Sequence, residues 1–205
     1  MPEIREDNMA DKTSVVTAER FAQGLSYETY LAQINVNKDR FELYNETAKE
    51  ALVDEDVAFF REAAERPGGA AKVLVIGEDW CPDVFRGMPL MARIAEVAGM
   101  EMQVFPRDTH MDIMNEFLNK GEFLSIPVFV FYTKDQEYLC HWIERPVQAN
   151  EEMPRIREQV QQELAGKDEQ EVRQESRART NARFPAWQRA SVLELRDLLS
   201  NAIGG

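Results

Sequence analysis

A chain of 205 residues, 44% apolar and 30% charged, is long enough for one packed domain with appendages and has the balance of a soluble globular protein. Its formal net charge of −13 argues against a nucleic-acid partner, because binding a polyanion needs clustered cationic side chains. No stretch approaches the ~20 apolar residues that cross a bilayer, the N-terminus lacks the order of a signal peptide, and two cysteines make no disulfide framework. A cytoplasmic protein with no membrane partner is expected.

In chain order, Met1 to Lys12 are polar and read as a frayed terminus. Thr17 is placed to cap a short helix through Phe21 that Gly24 ends, and Ser26 to cap a longer one from Tyr27 to about Val36. In that second helix Tyr27, Tyr30, Leu31 and Ile34 share a face. A further helical run carries Phe41, Leu43 and Tyr44, and Asp54 reads as the N-cap of a helix over Glu55 to Glu65. Aromatic residues at this spacing read as core, so these helices are expected to pack onto the central part of the chain. Pro67-Gly68-Gly69 then breaks the chain.

Val73 to Ile76, bounded by Gly77, have the composition of a buried strand. Trp80 and Cys81 precede Pro82, whose fixed φ suits a first helical turn, and Val84, Met88, Met91, Ile94, Val97 and Ala98 continue at helical spacing. Cys81 therefore sits where a buried strand hands over to a helix, and unpaired N–H groups and the helix dipole favour a thiolate there. Glu78, Asp79 and Asp83 oppose that effect, and the nearest cation, Arg86, lies one turn later.

Glu101 to Phe105 alternate and read as a second, parallel strand after the helix. The segment that leaves it, Pro106 to His110, emerges at the same sheet edge as Cys81, the edge where open α/β sheets bind ligands. Arg107 and His110 would there supply positive charge to a carboxylate-bearing thiol. A short helix over Met111 to about Leu118 leads to Ile126-Pro127, and Val128–Thr133 and Glu137–Ile143 read as an antiparallel hairpin.

Glu151–Ala165 and Asp168–Arg183 are charged and read as solvated helices or a flexible arm, interrupted by Phe184-Pro185-Ala186-Trp187. Ser191 to Ile203 form an amphipathic helix with Val192, Leu195, Leu198, Leu199 and Ala202 on one face. Its cover is either the chain's own sheet or a second subunit, so a monomer and a homodimer through this helix both fit.

Three features in this order resemble the thioredoxin superfamily: Trp80-Cys81-Pro82-Asp83-Val84 after a strand, Pro89 inside the following helix, and Ile126-Pro127 before the hairpin. The resemblance covers roughly Lys72 to Pro146. It implies an α/β thioredoxin-like fold, a central mixed four-stranded sheet flanked by helices, with a helical N-terminal extension over 13–69, a core over 70–149 and a charged helical C-terminal extension over 150–205. It also implies a cis bond at Ile126-Pro127 and a catalytic role for Cys81. Trp80, Pro82, Asp83, Ile126 and Pro127, with Arg107 nearby, would form the substrate surface.

Two positions depart from the superfamily pattern. Val84 stands where the resolving cysteine is found, and Val75 where thioredoxins carry a buried aspartate, so a one-cysteine site remains. The expected function is monothiol thiol–disulfide exchange with a protein disulfide or a small thiol, the alternative being a non-catalytic thioredoxin-fold binding or assembly module. Cys140, about four residues before the end of the last strand, should lie ~10 Å below the active edge, beyond the ~7 Å that a disulfide spans. No cofactor is expected, and Cys81, Cys140, His110 and His141 are too scattered for a metal site.

Overall fold

The computed structural model describes residues 14–204; the segment from Met1 to Lys12, expected to be frayed, lies outside them. Four strands, β1 (Lys72–Gly77), β2 (Glu101–Pro106), β3 (Val128–Tyr132) and β4 (Tyr138–Ile143), make one sheet in the order β2-β1-β3-β4. β1 runs parallel to β2 and antiparallel to β3, and β4 runs antiparallel to β3. Every residue of β3 and all but the first of β1 are buried, which is why both read as continuous apolar runs.

The helices are α1 (Ala18–Phe21), α2 (Tyr27–Gln33), α3 (Lys38–Ala51), α4 (Asp54–Glu65), α5 (Pro82–Ala98), α6 (Met111–Met114), α7 (Val147–Glu163), α8 (Glu169–Ala182) and α9 (Phe184–Ala202). α5 is the hub. Gly77, at the end of β1, is what lets its first turns lie close, because a Cβ there would come within 2.8 Å of both Val84 and Met88. Gly99, at φ 72°, ends the helix with its N–H turned back to Ala95 and Glu96, a conformation that favours glycine.

The N-terminal aromatic residues are core, as their spacing predicts. Phe41 and Tyr44 of α3 are buried and meet Phe85 of α5, with ring centroids 6.4 and 6.1 Å away. Thr17 and Ser26 accept from the N–H groups of Arg20 and Thr29, capping α1 and α2. The N-cap of α4 is Val53 rather than Asp54. Asp56, three residues further on, accepts the Val53 N–H at 3.0 Å, so its carboxylate supplies the partner that the cap residue lacks.

At the C-terminal end the charged stretches are folded. α7 begins at Val147, earlier than the charge shift indicates, and runs through Pro154 before α8 returns along it. Phe184-Pro185-Ala186-Trp187 opens α9 instead of interrupting it, since a proline in a first turn forfeits no helical hydrogen bond. α9 packs on β4, α3 and α4 and buries Val192, Leu195 and Leu199 completely. Its apolar face is thus covered by the chain itself. The helix expected to reach Leu118 stops at Met114 and continues as turns around buried Phe117. No described helix is long and apolar enough to cross a membrane.

Candidate functional site

Cys81 is the N-cap of α5 in extended geometry, and its carbonyl accepts from the N–H groups of Val84 and Phe85 at 3.1 and 3.2 Å. Its side chain turns across to the loop before β3, where Sγ lies 3.7 Å from the carbonyl oxygen of Ile126 and donates to it. The Ile126-Pro127 bond is cis, as the resemblance implies. Gly87 on the same helix faces this proline, and a Cβ there would be 3.3 Å from the Pro127 ring. Thiol, carbonyl and proline ring are therefore held together by α5 and the start of β3.

The electrostatics do not favour the thiolate. Partial burial pushes the Cys81 thiol above its ordinary value; the N–H groups of Val84 and Asp83 pull it down, while the charges of Asp83 and Glu144 raise it again. Asp83 is itself pushed up by burial, partly offset by Arg145 and Arg86. Arg145, just beyond β4, sits 3.2 Å from the Asp83 carboxylate and also pairs with Glu144.

The other acidic neighbours are occupied by local bonds. Asp79 accepts the N–H groups of Asn35 and Val36 at 2.9 and 3.2 Å, and the Asn37 amide donates to its carbonyl at 2.9 Å. Glu78 accepts the Asp108 N–H at 2.7 Å, and burial raises its carboxyl above the usual range. These bonds tie the loop that carries Trp80 to the start of α3 on one side and to the end of β2 on the other.

Trp80 is 49% exposed, an unusual position for an indole, and the Arg107 guanidinium lies over it at 4.9 Å. Arg107 also bonds Asp108 and the Leu124 carbonyl, so its charge is anchored beside the Trp-Cys-Pro loop. Pro82 is exposed at the start of α5. His110 is taken up locally: Nδ1 is 2.8 Å from the Pro106 carbonyl and the ring stands edge-on to Phe105.

Val84 is fully buried where a resolving thiol would stand, and Val75 is fully buried in β1. Cys140 is buried opposite Phe131, three residues along β4 from Ile143, the partner of Val128 at the proline end. Burial pushes its thiol up to about 12. Among the described residues no three His, Cys, Asp or Glu side chains converge as a metal site requires.

The sheet order, the cysteine at the N-cap of α5 and the cis proline facing it define a protein of the thioredoxin superfamily. A family model described as Thioredoxin matches residues 24–177, well over half of the chain, and the chain belongs to that family. The match extends beyond the sheet into α2–α4 and α7–α8, a wider span than the motifs alone indicate. Among solved structures, a protein of unknown function from Pseudomonas aeruginosa has a TM-score of 0.66 at 13% identity, over 91% of this chain and 99% of that one. An HIV epitope scaffold has a TM-score of 0.62 at 14% identity, over 93% and 99%. At these identities the likeness is one of fold. No curated protein sequence matches the chain.

Proposed function

We propose that this is a cytoplasmic thioredoxin-like protein that performs monothiol exchange through Cys81 on a protein disulfide or a small thiol. In the first step the Cys81 thiol gives its proton to solvent and its sulfur attacks one sulfur of a substrate disulfide. A bond forms between Cys81 and that sulfur, the substrate S–S bond breaks, and the second substrate sulfur leaves as a thiolate. The thiolate of a low-molecular-weight thiol then attacks the substrate sulfur of the mixed disulfide; a bond forms between those two sulfurs, the bond to Cys81 breaks, and the Cys81 thiolate leaves and takes a proton from solvent. Trp80, Pro82 and Asp83 flank the reacting sulfur in this reading, and Ile126 and Pro127 offer a backbone edge for an extended substrate. Arg107 holds Trp80.

The observation that carries the proposal is the 3.7 Å approach of a half-buried Sγ to the Ile126 carbonyl beside the proline. The raised thiol favours a second reading, a non-catalytic thioredoxin-fold binding module in which the cysteine is incidental. Alkylation of the Cys140→Ser protein as a function of pH, followed by incubation with a small disulfide and mass analysis, separates them. A mixed disulfide at Cys81 whose rate of formation climbs with pH supports exchange. A thiol that forms no adduct even at alkaline pH sinks it and leaves the binding module.

A further inference from the structure

Beside the Trp80 loop lies a cleft of about 550 Å³ that shares Trp80, Pro82 and Asp83 with the proposed exchange surface but extends beyond it, away from Cys81. The two helical extensions build its walls: α3 on one side, α7 and α8 on the other, with the first turn of α5 as the floor. Five arginines line it, Arg40, Arg86, Arg145, Arg157 and Arg177, against the single carboxylate of Asp83. In a chain with 37 acidic and 24 basic residues, a formal excess of four positive charges in one concavity runs against the overall balance.

Few of these charges are answered from within. Among the described residues, Arg86, Arg157 and Arg177 form no ion pair, and Arg40 meets only its neighbour Asp39 at 3.8 Å. Arg86 donates to Asn181 at 2.8 Å and lies over the Phe184 ring, while its Nε and that of Arg145 are buried with no hydrogen-bond partner among the described residues. Guanidinium forks match phosphate and carboxylate oxygens, and the floor of the cleft adds the positive end of a 17-residue helix.

We infer that the cleft is a binding site for a small multiply charged oxyanion, a molecule carrying at least two phosphate or carboxylate groups. Its volume falls within the ~300–1,000 Å³ of small-molecule sites. The site adjoins the proposed exchange surface through Trp80, Pro82 and Asp83, but Cys81 is not among its lining residues and binding does not require the thiol.

Isothermal titration calorimetry with pyrophosphate and with citrate, at low and at physiological salt, tests it. The expected result is saturable binding of at least one probe below ~1 mM, weaker at higher salt. Arg157 and Arg177 are exposed, so an Arg157→Ala/Arg177→Ala variant should stay folded by circular dichroism and bind at least tenfold more weakly. Arg155→Ala, exposed on α7 but outside the cleft, should bind as the parent does, and so should Cys81→Ser. Pyrophosphate alone binding assigns a phosphate ligand; citrate alone assigns a polycarboxylate. If neither probe binds, the inference is overturned, as it is by equal affinity in the double variant.

Discussion

Arg145 reaches from the corner after β4 to Asp83 in the first turn of α5, 3.2 Å between guanidinium and carboxylate, with both side chains about one-fifth exposed. Asp83 in turn raises the Cys81 thiol through its charge. The pair therefore connects the C-terminal corner of the sheet to the sulfur. In Asp83→Asn the like charge is gone while the residue's N–H remains, so the thiol falls and alkylation of Cys81 near pH 7.5 should run a few-fold faster. Rates measured on the Cys140→Ser background check this, and an unchanged or slower rate contradicts it.

Restoring a second thiol tests the geometry of the motif. Val84→Cys places a thiol one helical turn from Cys81 in a fully buried position. Under mild oxidation the variant should form a disulfide between Cys81 and the introduced thiol, seen as the loss of two hydrogens by mass spectrometry, whereas the parent forms none. Its reduced form should be less stable by about 1 kcal/mol, the usual result of trimming a buried β-branched side chain.

Asp56 holds α9 against α4. Its side chain is completely buried; the cost of burial is outweighed by bonds from the Val53 N–H, Arg189 and Arg196, which hold its carboxyl below the usual range. Asp56→Ala should cost about 2–4 kcal/mol by urea denaturation. That range starts lower than the ~3–5 kcal/mol for breaking a fully buried pair, because Arg189 and Arg196 remain 37% and 28% exposed and regain water. Asp56→Asn, which keeps an acceptor for Val53, should lose less.

Acid should loosen the contact between α7 and α9 before it unfolds the sheet. Glu152 accepts from Arg183, Gln148 and the Trp187 indole, and those bonds, led by Arg183, lower its carboxyl to about 2. A depressed carboxylate stabilises the fold above its unfolded value of ~4.3, and that stability is lost as the pH falls through the folded one. Near-ultraviolet circular dichroism at Trp187 should therefore change between about pH 4.3 and 2. In Glu152→Gln that acid step should vanish, with a melting temperature at pH 7 lower by roughly 2–4 °C.

How much of the molecule is legible in its sequence depends on how local each cause is. β1, the turn through Trp80-Cys81-Pro82 and α5 can be read because apolar period, Gly77 and Pro82 lie within a dozen residues. Ile126-Pro127 can be read only through a resemblance, since nothing in the dipeptide itself places it against a cysteine 45 residues earlier. The C-terminal helices are harder. A composition of Glu, Gln and Arg fits an arm as well as a packed hairpin, and their partners are remote: Arg189 meets Asp56 across 133 residues of chain. The arginine cleft is illegible for the same reason, because Arg40, Arg86 and Arg177 belong to three separate stretches. Strand direction puts Arg107 at the right edge, but its stacking on Trp80 has no sequence signature.

Leu25, in the turn between α1 and α2, exchanges two hydrogen bonds with Val104, at 2.9 and 2.7 Å. β2 is the outermost strand on its side, and that exchange occupies part of the row of backbone groups that an edge strand would otherwise present to a stranger. The N-terminal helices are thus guards of the sheet's rim as well as partners of α5. A chain trimmed back to residues 70–149 would keep Cys81, Val84 and Pro127, lose the Asn35–Asn37 bonds that hold the Trp80 loop, and gain a sticky border, exchanging a shielded rim for one that recruits its own copies.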